Sequence, residues 1–302
     1  MSSPEPSEEF RSGFVAVVGR PNTGKSTLVN ALVGQKVSIV ADKPQTTRAP
    51  IRGVLSTDDY QIVFTDTPGF HKPRTALGER LNRVVAESTE GVDVVMLVVD
   101  GAAGVGRGDE FVARQRVVPL RGAKVCVVNK IDLLSKGDLL VQLDRAGNLV
   151  PFDHIVPVSA KTGDNLGELV DVLVSSMPEG EPLYEPGQVT DQPIEFRVAE
   201  IVREKILALT REEIPHSVAV QVEELDRDEE RDLVRISCLV LVERESQKGI
   251  VIGRGGQMLK TVGTRARREL EPILGSRVFL DLRVKVLREW QRDPAALTRL
   301  GY

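Results

Sequence analysis

An eight-residue run, Gly19-Arg20-Pro21-Asn22-Thr23-Gly24-Lys25-Ser26, reads G-x-x-x-x-G-K-S and follows directly on the apolar stretch Phe14-Val15-Ala16-Val17-Val18. A strand that feeds a glycine-rich turn and then a helix aims successive backbone N–H groups, and the positive helix end, at one point. That point suits a polyphosphate. In this pattern Lys25 reaches the terminal phosphates and the Ser26 hydroxyl supplies one ligand to Mg²⁺, which otherwise keeps mostly water. Gly19 and Gly24 allow an approach that a Cβ would block. A turn that served packing alone would leave the Lys-Ser pair without a reason.

The choice of base has to come from elsewhere in the chain. Asn129-Lys130-Ile131-Asp132 follows the run Val125-Cys126-Val127-Val128, at the carboxyl end of another expected strand, where open α/β sheets hold their ligands. The Asp132 carboxylate can accept from two guanine donors at once. Adenine leaves it partly unpaired, at a cost of about 1–3 kcal/mol or more for a charged group. Asn129 and Lys130 would fix the loop and cover the base. Asp66-Thr67-Pro68-Gly69 ends the run 60–65, so the Asp66 carboxylate is expected to hold Mg²⁺ through water and the Gly69 N–H to sense a γ-phosphate. Ser159-Ala160-Lys161, after Ile155-Val156-Pro157-Val158, would offer backbone contacts to the guanine.

Apolar runs at 14–18, 51–55, 60–65, 92–99, 123–128 and 154–158 read as strands, with helical spacing at 26–33, 77–88, 109–120, 136–148 and 166–176 between them. The alternation implies an α/β domain over 11–178, with a mainly parallel sheet. Residues 1–10 are acidic and without an apolar stretch, so a disordered start with no targeting peptide is expected, in a cytoplasmic protein. Cys126 and Cys238 lie in apolar runs and read as buried hydrophobes. Residues 179–193, rich in proline and glycine, read as a linker.

Beyond the linker, 194–302 has the order helix, strand, strand, helix, helix, strand. Gly253-Arg254-Gly255-Gly256 lies between the two middle helices. This is the order of a prokaryotic, type II KH domain of the α+β class, whose G-x-x-G loop clamps the backbone of single-stranded RNA while apolar neighbours meet the bases. Ile250 and Ile252 flank the loop. Lys248, Arg254, Lys260, Arg265 and Arg268 belong to a basic cluster around it, and residues 246–302 hold twelve Lys/Arg against five acids although the whole chain carries −4. Residues 191–245 are the reverse, eight against fifteen. Trp290 is expected in the core, and Arg48 in solvent.

A guanine-nucleotide domain followed by a KH domain resembles the bacterial Era GTPases over nearly the full chain. The matching segments include Gly19 to Thr27, Gln45-Thr46-Thr47-Arg48, Asp66 to Phe70, Asn129 to Asp132, Ser159 to Lys161, Leu241 to Glu245 and Val251 to Gly256. The resemblance implies a Mg²⁺-dependent GTPase that cycles between GTP and GDP. It also implies binding to the 3′ end of 16S rRNA on the 30S subunit precursor, in support of 16S rRNA processing and 30S biogenesis, with GTP state gating RNA binding. Loops 35–50 and 69–76 are the expected switches. Thr47 is chosen over Thr46 as the metal ligand, either hydroxyl being able to cap a turn instead. Many GTPases orient water with a glutamine where this chain has Phe70, and Asn22 resembles the asparagine that helps to bind K⁺ between the phosphates. Slow, K⁺-stimulated hydrolysis by a monomer is the resulting expectation, with Lys25, Asn22, Thr47 and Gly69 as its catalytic set. Two other readings are an RNA-binding scaffold that turns over negligible GTP, and a GTPase whose basic C-terminal part touches the inner face of the membrane.

Overall fold

The computed structural model of the chain describes residues 10–43, 46–69, 76–211 and 214–301. Ten helices and nine strands among the described residues divide into two compact units. One is built from Met1–Ser38, Thr47–Lys72 and Arg80–Asp191, the other from Ile39–Thr46, Pro73–Glu79 and Gln192–Tyr302.

The first unit is a six-stranded sheet in the order β2-β3-β1-β4-β5-β6. Its strands are β1 (Arg11–Val18), β2 (Ile51–Ser56), β3 (Tyr60–Asp66), β4 (Val94–Asp100), β5 (Ala123–Asn129) and β6 (His154–Pro157). Only β2 and β3 pair antiparallel. Strand β4 is buried along its whole length except at Asp100, as expected of a central strand covered on both faces. On one face Val95, Leu97 and Val99 meet Val112, Val117 and Ala146. The helices along this part of the chain are α1 (Lys25–Val33), α2 (Ala76–Glu87), α3 (Arg107–Val112), α4 (Lys136–Gly147) and α5 (Leu166–Ser175). The single helix expected over 109–120 starts at Arg107, because the Asp109 carboxylate accepts from the Gly106 N–H at 3.0 Å, and it changes at Ala113 to a wider π turn that ends at Val117.

Of the linker expected over 179–193, residues 179–191 lie along the first unit. The Pro and Gly that break helical and strand periodicity leave a chain whose backbone finds partners on the sheet: Pro178 accepts from the Ser12 N–H, Gly180 donates to Phe10, and Val189 accepts from the Val54 N–H. The second unit takes up the chain at Gln192.

There α6 (Ile194–Leu209), a short α7 (Ile214–Ser217), β7 (Ala219–Asp228), β8 (Leu233–Val242), α8 (Glu245–Ile252), α9 (Gln257–Leu274) and β9 (Arg277–Val286) follow in turn, then α10 (Pro294–Arg299). Helical spacing puts Val198, Val202 and Ile206 on one side of α6, and Val262, Ala266 and Leu270 on one side of α9. Alternation puts Val234, Ile236, Cys238 and Val240 on one face of β8, and these three stripes make the core. Strand β7 pairs antiparallel with β8, and β9 pairs parallel with it. Trp290 is fully buried and its Nε1–H donates to the Ser217 carbonyl at 3.0 Å. Trp290→Phe keeps most of the apolar volume and removes that bond, so the unit should lose about 1–2 kcal/mol of stability in urea unfolding. Burial pushes the thiols of Cys126 and Cys238 up to about 12, which leaves both as inert hydrophobes. No helix among the described residues is long and apolar enough to cross a membrane.

Candidate nucleotide site and RNA interface

The loop between β1 and α1 is held in shape by its own residues. Thr23 Oγ1 donates to the Arg20 carbonyl at 3.1 Å. The Lys25 ammonium, nearly buried, donates to the carbonyls of Gly19 (3.2 Å) and Arg20 (2.8 Å). Burial lowers its pKa to about 8, against the pull of the Asp66 carboxylate. A phosphate at the loop would restore the charge that burial disfavours. Gly24, at φ 93°, is where α1 begins, and a Cβ there would come within 2.3 Å of the Asn129 Nδ2.

Three oxygens converge beside the loop. Ser26 Oγ lies 3.1 Å from Thr47 Oγ1, which lies 3.5 Å from Asp66 Oδ2. Asp66 is fully buried, its Oδ1 has no hydrogen-bond partner among the described residues, and burial pushes its carboxyl up. A buried carboxylate oxygen with nothing to bind, beside two hydroxyls, is a donor set that fits Mg²⁺. Thr46 is occupied otherwise, its hydroxyl turned onto the carbonyls of Ala41 (3.2 Å) and Lys43 (2.6 Å). Thr67 Oγ1 donates to the Val17 carbonyl at 2.7 Å, Pro68 is buried, and a Cβ on Gly69 would meet Pro21 at 2.9 Å, so this turn abuts the phosphate loop. Phe70 lies outside the described residues, as does most of the expected switch at 69–76.

Asn129 is the junction of the site. Buried at 1% exposure, it donates from Nδ2 to the Thr23 carbonyl at 2.9 Å, and its Oδ1 accepts from the N–H groups of Lys130 (2.8 Å) and Ala160 (3.0 Å). One side chain therefore ties the phosphate loop to both base-facing loops. Lys130 extends its ammonium to the Asn22 carbonyl (2.9 Å) and the Asp100 carboxylate (2.6 Å). The Ser159 hydroxyl donates to Asp132 Oδ1 at 2.7 Å and so aims an otherwise exposed carboxylate. The Ile131 N–H donates to the Val158 carbonyl. Thr27 is half-buried on α1 and Asn22 is exposed at φ 65°. Lys161 is exposed, and the Arg20 side chain turns away to the Asp109 carboxylate at 3.3 Å.

Several polar residues that sequence reasoning passed over turn inward and hold the backbone or one another. Asn30 grips the backbone of Val37 and Ser38 through both ends of its amide, at 2.8 to 2.9 Å. Arg48, expected in solvent, is 1% exposed. In the second unit Glu204 accepts from the Val40 N–H at 2.9 Å, and Arg203, wholly buried and paired with Glu200, donates to the Thr46 carbonyl.

The G-x-x-G turn crowns the second unit. Gly253 sits at φ 73° where a Cβ would come 2.7 Å from the Met258 Cβ, so the turn can close against α9 only with glycine there. Ile250 is 53% exposed, Ile252 and Lys248 are half-buried, and Arg254, Gly255, Lys260, Arg265 and Arg268 are exposed. From Gly256 a groove of about 460 Å³ runs between α9 and β9, with Leu259, Lys260 and Arg267 on one wall and Phe279 and Leu282 on the other. Arg265 and Arg268 do not line it. Lys260, Thr264 and Arg267 recur at helical spacing and share the groove face, a signal the charge count alone had hidden. Phe279, 57% exposed, adds an aromatic surface beside two cations, as a stacking platform for a base requires.

The family described as 50S ribosome-binding GTPase matches residues 14–130, and the KH domain family matches 213–291. The chain is 49% identical over 297 residues to the GTPase Era of Mycolicibacterium smegmatis, covering 97% of this chain and 99% of that protein. It is 50% identical over 298 residues to the GTPase Era of Mycobacterium tuberculosis, with the same coverage. Among solved structures, it is similar to Era in complex with MgGDPNP and nucleotides 1506–1542 of 16S ribosomal RNA, with a TM-score of 0.94 at 41% identity over 97% of this chain and 99% of that one. A variant Era from Aquifex aeolicus bound to GDP·AlF4⁻ matches with the same TM-score, identity and coverage.

Proposed function

The chain belongs to the Era family of GTPases, and from that premise we propose that it binds and hydrolyses GTP and, through its KH domain, holds the 3′ end of 16S rRNA during assembly of the 30S subunit. The observation that carries the reading is Asn129, whose one amide joins the phosphate loop to the loops bearing Asp132 and Ala160. Phosphate and base recognition are thereby parts of one rigid site. The GTPase part corresponds to 11–178 and the RNA-binding part to 194–302, the cytoplasm being the compartment in which both ligands occur.

In this reading Lys25 neutralises the terminal phosphates, the Gly69 N–H meets the γ-phosphate, and Asp132 accepts from the guanine edge while Ser159 orients it. Ser26, Thr47 and Asp66 would hold Mg²⁺, which supplies positive charge to the phosphates as the terminal P–O bond breaks and water adds to phosphorus. Crosslinking to cellular RNA in the presence of GDPNP should enrich the 3′ end of the small-subunit RNA. Crosslinks scattered over messengers would refute the ribosomal assignment. Contact with the inner face of the membrane rests on the basic excess of 246–302 alone, and sedimentation with anionic liposomes at physiological salt would detect it.

Hydrolysis is proposed to be slow and stimulated by K⁺ through Asn22. Turnover in K⁺ should exceed that in Na⁺ at matched ionic strength, and Asn22→Ala should abolish the difference. Equal parent rates in the two salts would remove the role given to Asn22.

A further inference from the structure

Residues 179–191 are fixed to the sheet more firmly than a tether requires. Gln61 is 2% exposed and uses its whole side-chain amide: Nε2 donates to Ser56 Oγ (2.9 Å) and the Tyr184 carbonyl (3.0 Å), while Oε1 accepts from the N–H groups of Leu183 (2.6 Å) and Tyr184 (2.8 Å). The amide pairs with Tyr184 as a neighbouring strand would. Further on, the Val54 N–H donates to Val189 at 2.9 Å and the Thr190 hydroxyl to the Arg52 carbonyl at 2.6 Å. These bonds satisfy groups on the open edge of β2. Arg52 then pairs with the Asp191 carboxylate at 3.1 Å, where Tyr184 Oη also donates at 3.2 Å.

Ordering each residue of such a segment costs about 1–2 kcal/mol of backbone entropy, which a free linker would keep. The strand so engaged is the one that leaves the Thr47 segment. Thr47 stands with Ser26 and Asp66, and the chain enters β2 at Ile51. We propose that 179–191 act as a strap that carries a shift of the Thr47–Val54 segment to the start of the RNA-binding unit at Gln192-Pro193. Pro193, at φ −54°, precedes the first turn of α6, so little freedom remains beyond Gln192. The proposal rests on the reading that bound nucleotide controls RNA binding.

The test uses the full chain, an RNA fragment of the 16S 3′ end, and GDPNP or GDP. In the parent, the amides of Val54, Leu183 and Tyr184 should exchange at least about 100-fold more slowly than in an unfolded chain. In the double variant Gln61→Ala, Thr190→Val they should lose that protection while nucleotide affinity stays within about twofold, and the GDPNP-to-GDP ratio of RNA affinities should fall about fivefold or more towards one. Replacement of 183–190 by an equal length of Gly and Ser serves the same end if the double variant keeps its protection. Unprotected amides in the parent, or released amides with an unchanged ratio, would overturn the strap. Equal RNA affinities in the parent with both nucleotides would instead sink the reading beneath it, before any variant is made.

Discussion

Asp132→Asn is expected to lower GTP affinity by about 3 kcal/mol, or about a hundredfold, because one hydrogen bond from guanine to a charged acceptor is replaced by a donor facing a donor and the other loses its charge. The same change should improve binding of xanthosine triphosphate, because it exchanges one acceptor for a donor where xanthine presents a carbonyl. Ser159 makes the prediction sharp. Its hydroxyl donates to Asp132 Oδ1, and the amide oxygen of asparagine can accept the same bond, so the side chain keeps its aim while its chemistry changes. Competition binding with the two nucleotides reads the outcome. An unchanged preference for GTP would mean that the base is read elsewhere.

Gly255→Asp should weaken RNA binding by about a hundredfold and leave GTP affinity intact. Nothing lies within 4 Å of a Cβ at this position, so the side chain can be accommodated without a clash. Its carboxylate would stand where the loop must approach RNA phosphates, and a like-charge contact of that kind costs several kcal/mol. Gly255 is at φ 57°, so Gly255→Ala reports the backbone strain alone and should cost much less. Anisotropy with a 16S 3′-end fragment at one fixed salt concentration separates the two, since phosphate contacts weaken steeply with salt. Equal losses in both variants would assign the effect to strain in place of charge.

The parts of this molecule visible in its sequence are those where side-chain type repeats with the backbone. Val95, Leu97 and Val99, or Val198, Val202 and Ile206, announce a strand face and a helix stripe because burial demands that spacing. The nucleotide motifs are visible because particular functional groups must sit at particular turns. What stayed hidden has no such period. Arg48, Arg203, Glu200 and Glu204 carry charges that ordinarily face water, and only the fold shows that each is buried. Gln61 looks like any polar residue of a strand until its amide is seen to pair with the backbone of Tyr184. Arg267 and Phe279 meet across a groove whose walls are separated in the chain by the end of a helix.

The parallel pairing of β9 with β8, from Leu233 opposite Arg277 to Val242 opposite Val286, bears on how the protein comes into being. Parallel neighbours require a crossover, and here the crossover is α8, the G-x-x-G turn and α9. One wall of the groove beside the G-x-x-G turn is β9 itself. During synthesis the GTPase unit can close while that strand is still inside the ribosome, so a nascent chain can hold nucleotide before it can grip RNA. Emergence of β9 is thus the step that completes the second sheet, and chains cut short before Arg277 should bind GTP but not RNA.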